Sequence, residues 1–134
     1  MTAPSILVDS YTWIEIFRDS AWGRQALHFI EKNSPCAVSV LTLYELQYRL
    51  GELYGKEKTD SLIETILTHT AVILVDQRIA IMGGSIKSLQ KKKDNTMGAV
   101  DCMILATARS HGLKIVSGDK HFEGLEESLD ISGI

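Results

Sequence analysis

Three acidic residues of this 134-residue chain stand where apolar side chains are expected. Asp9 ends the run Ile6-Leu7-Val8, Glu45 separates Leu43-Tyr44 from Leu46, and Asp101 separates Ala99-Val100 from Cys102-Met103-Ile104-Leu105. A carboxylate beside buried groups loses hydration unless it gains hydrogen bonds, a cation or a proton. A fourth acid, Asp119, follows the apolar strand before Ser117-Gly118 just as Asp9 follows the first strand. In a parallel sheet both project from the carboxyl edge, where ligands bind. Ionised acids gathered there repel one another by about 4 kcal/mol for two charges 4 Å apart at an effective dielectric of 20. A divalent cation removes that repulsion. Hard oxygen donors with no histidine pair nearby select Mg2+ or Mn2+ over zinc. Such an ion activates water and neutralises charge on a phosphodiester, so metal-assisted phosphodiester hydrolysis is the chemistry this set can perform.

Each acid also has a purely structural reading. Thr42-x-x-Glu45 matches a capping box, and Glu45 and Arg49 form an i, i+4 pair. Asp9 can cap the helix that follows it, Asp101 can favour a helix N-terminus, and Asp119 can serve a turn. Asp76 also follows an apolar strand, but the helical pattern beginning at once after it marks an N-cap. Ser10 either caps a helix or orients a carboxylate or water. Neither Ser10 nor Ser117 has a histidine placed locally to make it a nucleophile.

The elements that must position these residues follow from hydrophobic spacing. Ser5 to Val8 predicts a strand, and Trp13, Ile14 and Phe17 predict the helix after it. Trp22, Ala26, Phe29 and Ile30 mark a second helix, Pro35 a link, and Cys36-Ala37-Val38 a second strand. Leu43, Leu46, Leu50 and Leu53 give a helix with one leucine face. Leu62, Ile63, Ile66 and Leu67 give a fourth helix, and Ala71 to Val75 a strand expected to be buried on both faces. Ile79, Met82, Ile86 and Leu89 define the helix after Asp76, with Gly83-Gly84 read as close packing. A polar, lysine-rich stretch runs from Gln90 to Gly98. Val100, Met103, Ile104, Thr107 and Ala108 form the next helix, Gly112 ends it, and a strand runs from Leu113 to Ser117.

Short apolar strands alternating with helices, without hairpins, predict an α/β fold in which a parallel sheet is covered on both faces. No repeat or linker divides the chain, so a single domain over residues 1–134 is expected, large enough to fold without a disulfide or structural metal. Cys36 and Cys102 lie among apolar neighbours and read as core residues. No apolar run approaches the ~20 residues of a membrane helix. The start, Met1-Thr2-Ala3-Pro4, shows no secretory pattern, and a cytoplasmic location is expected. With 17 Asp and Glu against 14 Lys and Arg, the net charge of -3 argues against nucleic-acid binding through overall positive charge, and neither proves nor excludes a nucleic-acid partner. A local patch at Lys87, Lys91, Lys92 and Lys93 remains open, either to steer a phosphate backbone or as a solvated loop. Trp13, Trp22, Tyr44 and Tyr48 sit at helical spacing and read as core rather than as base-stacking residues.

Together the order and spacing of the acids resemble a PIN-domain ribonuclease, particularly the VapC-type toxins of toxin-antitoxin pairs. Leu7-Val8-Asp9-Ser10, Leu43-Tyr44-Glu45-Leu46, Asp101 to Ala108 and Ile115 to Phe122 carry the resemblance over nearly the whole chain. It implies a three-layer α/β/α sandwich around a mainly parallel sheet of four to five short strands. It also implies an acidic pocket of Asp9, Glu45, Asp101 and Asp119 holding Mg2+ or Mn2+, with Ser117 as a supporting hydroxyl, that cuts RNA. A cognate VapB-type antitoxin and a homodimer are the implied partners. Competing expectations are a non-catalytic interaction module of this fold and a PIN nuclease of RNA processing. One position departs from the pattern: many relatives carry an aspartate just before the final phenylalanine, where this chain has His121. An exposed loop position, or contact with phosphate, is expected for it.

Overall fold

A computed structural model describes residues 3–93 and 97–131. The start at Met1-Thr2 and residues 94–96 of the lysine-rich stretch lie outside the described residues. The chain runs β1 (Ile6–Val8), α1 (Ser10–Phe17), α2 (Ala21–Lys32), β2 (Cys36–Ser39), α3 (Val40–Tyr54) and α4 (Lys56–His69). It continues as β3 (Thr70–Ile73), α5 (Gln77–Lys92), α6 (Ala99–His111), β4 (Lys114–Val116), a 3-10 turn (Lys120–Phe122) and β5 (Ser128–Leu129). The sheet order is β3-β2-β1-β4-β5, and every pairing is parallel, with Leu7 opposite Ala37 on one side and Ile115 on the other.

Two-residue strand periodicity divides the core into two layers. Ile6, Val8, Cys36, Val38 and Val116 face Trp13, Ile14, Ala26, Ile30, Leu46, Leu50 and Ile66 from α1 to α4. The intervening Leu7, Ala37 and Ile115 face Ile79, Ile86, Cys102, Leu105 and Ala108 from α5 and α6. Central strands buried on both faces read as unbroken apolar runs, which is why Ile6-Leu7-Val8 contains no polar residue. Two close helix approaches depend on missing side chains. A Cβ on Gly23 would run into the backbone of Glu15, and one on Gly83 would lie 2.5 Å from Met103 Sδ. Gly84, by contrast, meets nothing, so only Gly83 performs the packing expected of the pair. Gly112 ends α6 with φ of 64°, the left-handed conformation of a helix C-cap. Both cysteines are free and buried. Among the described residues no helix is long and apolar enough to cross a membrane.

The structure corrects several expectations of burial. β3 is an edge strand with Ala71 and Val72 exposed, so the apolar run there does not mark a strand covered on both faces. The leucine face of α3 is buried at Leu46 and Leu50, but Leu53 is 60% exposed because the helix end overhangs the core. Tyr44 and Tyr48 are exposed, their rings 5.6 Å apart on the outer side of α3, while Trp13 is in the core as expected. The lysine-rich stretch begins as helix, since α5 extends to Lys92.

Candidate metal centre

All strands being parallel, the ends of β1, β2 and β4 open on one edge, and the loops and helix starts there carry the acids. Asp9 is the N-cap of α1 and is 4% exposed. Its Oδ1 accepts from the Thr12 backbone N–H at 3.1 Å and lies 2.9 Å from Thr12 Oγ1, which is also 2.7 Å from the Val116 carbonyl. The Thr12 hydroxyl is shared between these two acceptors, and its hydrogen bond to Asp9, like that of the Thr12 backbone N–H, favours the ionised carboxyl. Burial, only partly offset by hydrogen bonds from Ser117 and Thr12, pushes the Asp9 carboxyl up to about 6.

Glu45 lies half-buried on α3, its Oε1 accepting from the Ser10 hydroxyl at 3.1 Å. Burial raises its pKa, Ser10 opposes the rise, and the charge of Asp101 adds to it. The capping-box reading fails here: Ser39 caps α3 through its hydroxyl, and Thr42 lies inside the helix. Ser10 orients a carboxylate, while the cap of α1 is Asp9. Asp101 occupies the first turn of α6, and burial raises its pKa against the opposing hydrogen bond from His121.

Asp119 caps the 3-10 turn, its Oδ1 accepting from the His121 backbone N–H at 2.9 Å. The Asp119 N–H donates to Ser117 Oγ at 2.9 Å, so Ser117 links the first acid to the last. His121 is neither a loop residue turned to solvent nor set apart from the acids. Phe122, 1% exposed, anchors the turn and aims the preceding ring inward. His121 Nδ1 lies 2.7 Å from Asp101 Oδ2 and 3.4 Å from Asp119 Oδ1. Among the described residues, Asp101, Asp119 and His121 each present a ligating atom within 4.8 Å of the others. Asp9 and Glu45 stand beside this corner and reach it through Ser117, Ser10 and the mutual repulsion of the charges. The sequence marked His121 only as a departure from the pattern that the chain resembles.

This donor set fits a divalent cation. Three of the carboxyls carry raised pKa values, because burial first and like charge second disfavour their ionised forms by more than their hydrogen bonds, Arg49 beside Glu45 and His121 beside Asp101 offset. A cleft of about 660 Å³ adjoins Asp119 and Ser117, with Trp22, Leu125 and Ile131 in its wall. Of the lysines, Lys87 donates to the Met97 carbonyl at 2.7 Å, whereas Lys91, Lys92 and Lys93 are exposed at the end of α5. A separate apolar groove of about 430 Å³ is lined by Trp13, Ile16, Phe17, Leu27, Ile30 and Cys36.

Comparison with known proteins gives a consistent result. The family model described as the PIN domain matches residues 6–127. A tRNA(fMet)-specific endonuclease VapC of Salmonella typhimurium is 30% identical over 92 residues, covering 68% of this chain and 70% of that protein. DNA-bound VapBC from Salmonella typhimurium superposes with a TM-score of 0.80 at 26% identity, covering 96% of this chain and 99% of that one. A toxin-antitoxin complex from Klebsiella pneumoniae shares the fold with a TM-score of 0.75 at 24% identity, covering 95% and 98% of the two chains.

Proposed function

Because the chain belongs to the PIN-domain family, we propose that it is a metal-dependent endoribonuclease, the toxin of a VapBC-type toxin-antitoxin pair acting in the cytoplasm. The observation that carries this reading is the convergence of Asp9, Glu45, Asp101 and Asp119 on one sheet edge beside an open cleft. In this reading Asp101 and Asp119 hold Mg2+ or Mn2+, with Asp9 and Glu45 completing the acidic set. When bound, the ion supplies an activated water and offsets charge on the phosphodiester. The protein's own groups do the positioning: Thr12 and Ser117 fix the Asp9 carboxylate, Ser10 fixes Glu45, and the backbone of the 3-10 turn fixes Asp119. Rigid support of this kind keeps ligands in place without reorganisation during the reaction. The Salmonella relative is named for cutting initiator tRNA, and structured RNA of that kind is the first substrate to offer.

The apolar groove beside α1 and α2 is the seat for a VapB-type antitoxin segment, since an apolar peptide face would cover the exposed Leu27 and the half-buried Phe17 there. Leu27→Glu is expected to weaken neutralisation by the antitoxin about tenfold or more while leaving cleavage by the free protein unchanged. The exposed Tyr44, Tyr48 and Leu53 of α3 supply an apolar face suited to a homodimer. The deciding experiment is cleavage of total cellular RNA with Mg2+, Mn2+ or EDTA, beside Asp101→Asn prepared identically. Discrete products that need metal and vanish in the variant support the nuclease. Intact RNA in every condition moves the assignment to a non-catalytic interaction module of this fold.

A further inference from the structure

His121 is a nitrogen donor set among the acids, and its position is built rather than incidental. Phe122 locks the turn into the core, Asp119 receives the His121 backbone N–H, and the imidazole is left facing Asp101 and Asp119. Ligands on adjacent corners of an octahedral ion with bonds of about 2.1 Å lie about 3 Å apart. The observed separations of Nδ1 from the two carboxylate oxygens, 2.7 and 3.4 Å, bracket that edge length. If the proton that Nδ1 shares with Asp101 moves to Nε2 when an ion enters, the neutral imidazole presents a lone pair at Nδ1. The ring therefore has the place, the orientation and the electrons of a ligand.

We propose that His121 Nδ1 is a direct ligand, so that Asp101, Asp119 and His121 form a mixed oxygen and nitrogen corner that favours Mn2+ over Mg2+. This rests on the metal-dependent reading above and sharpens it by naming which ion the site takes. Mg2+ and Mn2+ both take carboxylate and water oxygens, but Mn2+ belongs to the first-row transition ions that also bind nitrogen, whereas Mg2+ keeps to oxygen donors. Loss of a direct ligand costs affinity by no less than the ~10-fold that follows loss of an outer-shell partner.

The test is direct binding, independent of RNA cleavage. Mn2+ and Mg2+ are titrated into the purified chain by calorimetry, and pulsed electron paramagnetic resonance of the Mn2+-loaded protein reads nitrogen hyperfine modulation. The expected result is tighter binding of Mn2+ by roughly tenfold or more, with clear nitrogen modulation. In His121→Asp, at a side chain 38% exposed and tolerant of change, Mn2+ is expected to bind without that modulation and the preference over Mg2+ to collapse. Mn2+ bound to the natural chain without nitrogen modulation, or equal affinity for the two ions, overturns the inference and leaves the nuclease reading intact. Absence of any Mn2+ binding overturns both.

Discussion

Asp9 and Asp76 are the same local device used at two places in the sheet. Each follows an apolar strand, adopts an extended backbone, and caps a helix by accepting from the backbone N–H three residues on, at 3.1 Å for Thr12 and 2.8 Å for Ile79. What differs is the strand. β1 is central, and the Asp9 carboxyl is buried between Thr12 and Ser117 with the other acids nearby. β3 is the edge strand, two places away, about 10 Å across the sheet, and Asp76 is exposed. A helix cap is decided within a few residues, whereas burial beside other acids is decided by strand order. Identical caps therefore differ in chemistry.

The largest effect that separates them is on activity. Asp9→Asn keeps a side-chain oxygen for the cap, and Asn caps a helix about as well as Asp, but it removes a charge from the acidic edge. Cleavage should fall by about a hundredfold or more, the scale of losing one preorganised electrostatic group, with the far-ultraviolet circular dichroism unchanged. Wild-type activity in Asp9→Asn would break the comparison, because the central position would then carry no chemistry.

The next effect is on stability and follows from the sign of the Asp9 shift. Burial pushes its carboxyl up to about 6 in the fold, against an ordinary value of 3.8, so the folded state holds the proton more tightly. Stability from this group is complete below pH 4 and is lost as pH rises to about 6 and beyond, by about 3 kcal/mol at the full shift. Asp9→Asn has no such titration. In metal-free buffer the unfolding free energy of the natural chain should fall relative to the variant between pH 4 and pH 7, and added metal should recover the natural chain but not the variant. Parallel pH profiles would show that Asp9 is not the strained group.

Much of this arrangement was legible in the sequence, because the strand ends and helix starts are written in apolar spacing. Ile6-Leu7-Val8 before Asp9, the leucines of α3 around Glu45 and the cap at Gly112 are local signals, and the structure puts the elements there. The misread features are non-local. Whether Ala71 to Val75 is covered depends on β3 lying at the sheet edge, which no window of residues records. Tyr44, Tyr48 and Leu53 share helical periodicity with buried neighbours but face outward, since α3 is covered on one side only. β5, of two residues, is too short to show a period. His121 was seen as a departure from a family pattern, yet its contact with Asp101 spans twenty residues of sequence and depends on the anchoring of Phe122. The acids themselves stood out because a carboxylate in an apolar run is rare, and that rarity is a matter of solvation rather than of position.

The smallest effect is the one expected at Asp76, and it is the control that gives the others meaning. Asp76→Asn should leave both cleavage and melting temperature unchanged, because the amide oxygen still accepts from the Ile79 N–H. Asp76→Ala removes the acceptor and should cost about 1 kcal/mol, while cleavage per folded molecule stays at the natural level. Thermal unfolding of the two variants beside an RNA cleavage assay separates the quantities. If Asp76→Asn loses activity with its fold intact, the acidic edge extends across β2 to β3. The proposed ion-binding groups would then not be confined to the ends of β1 and β4 and the helices beside them.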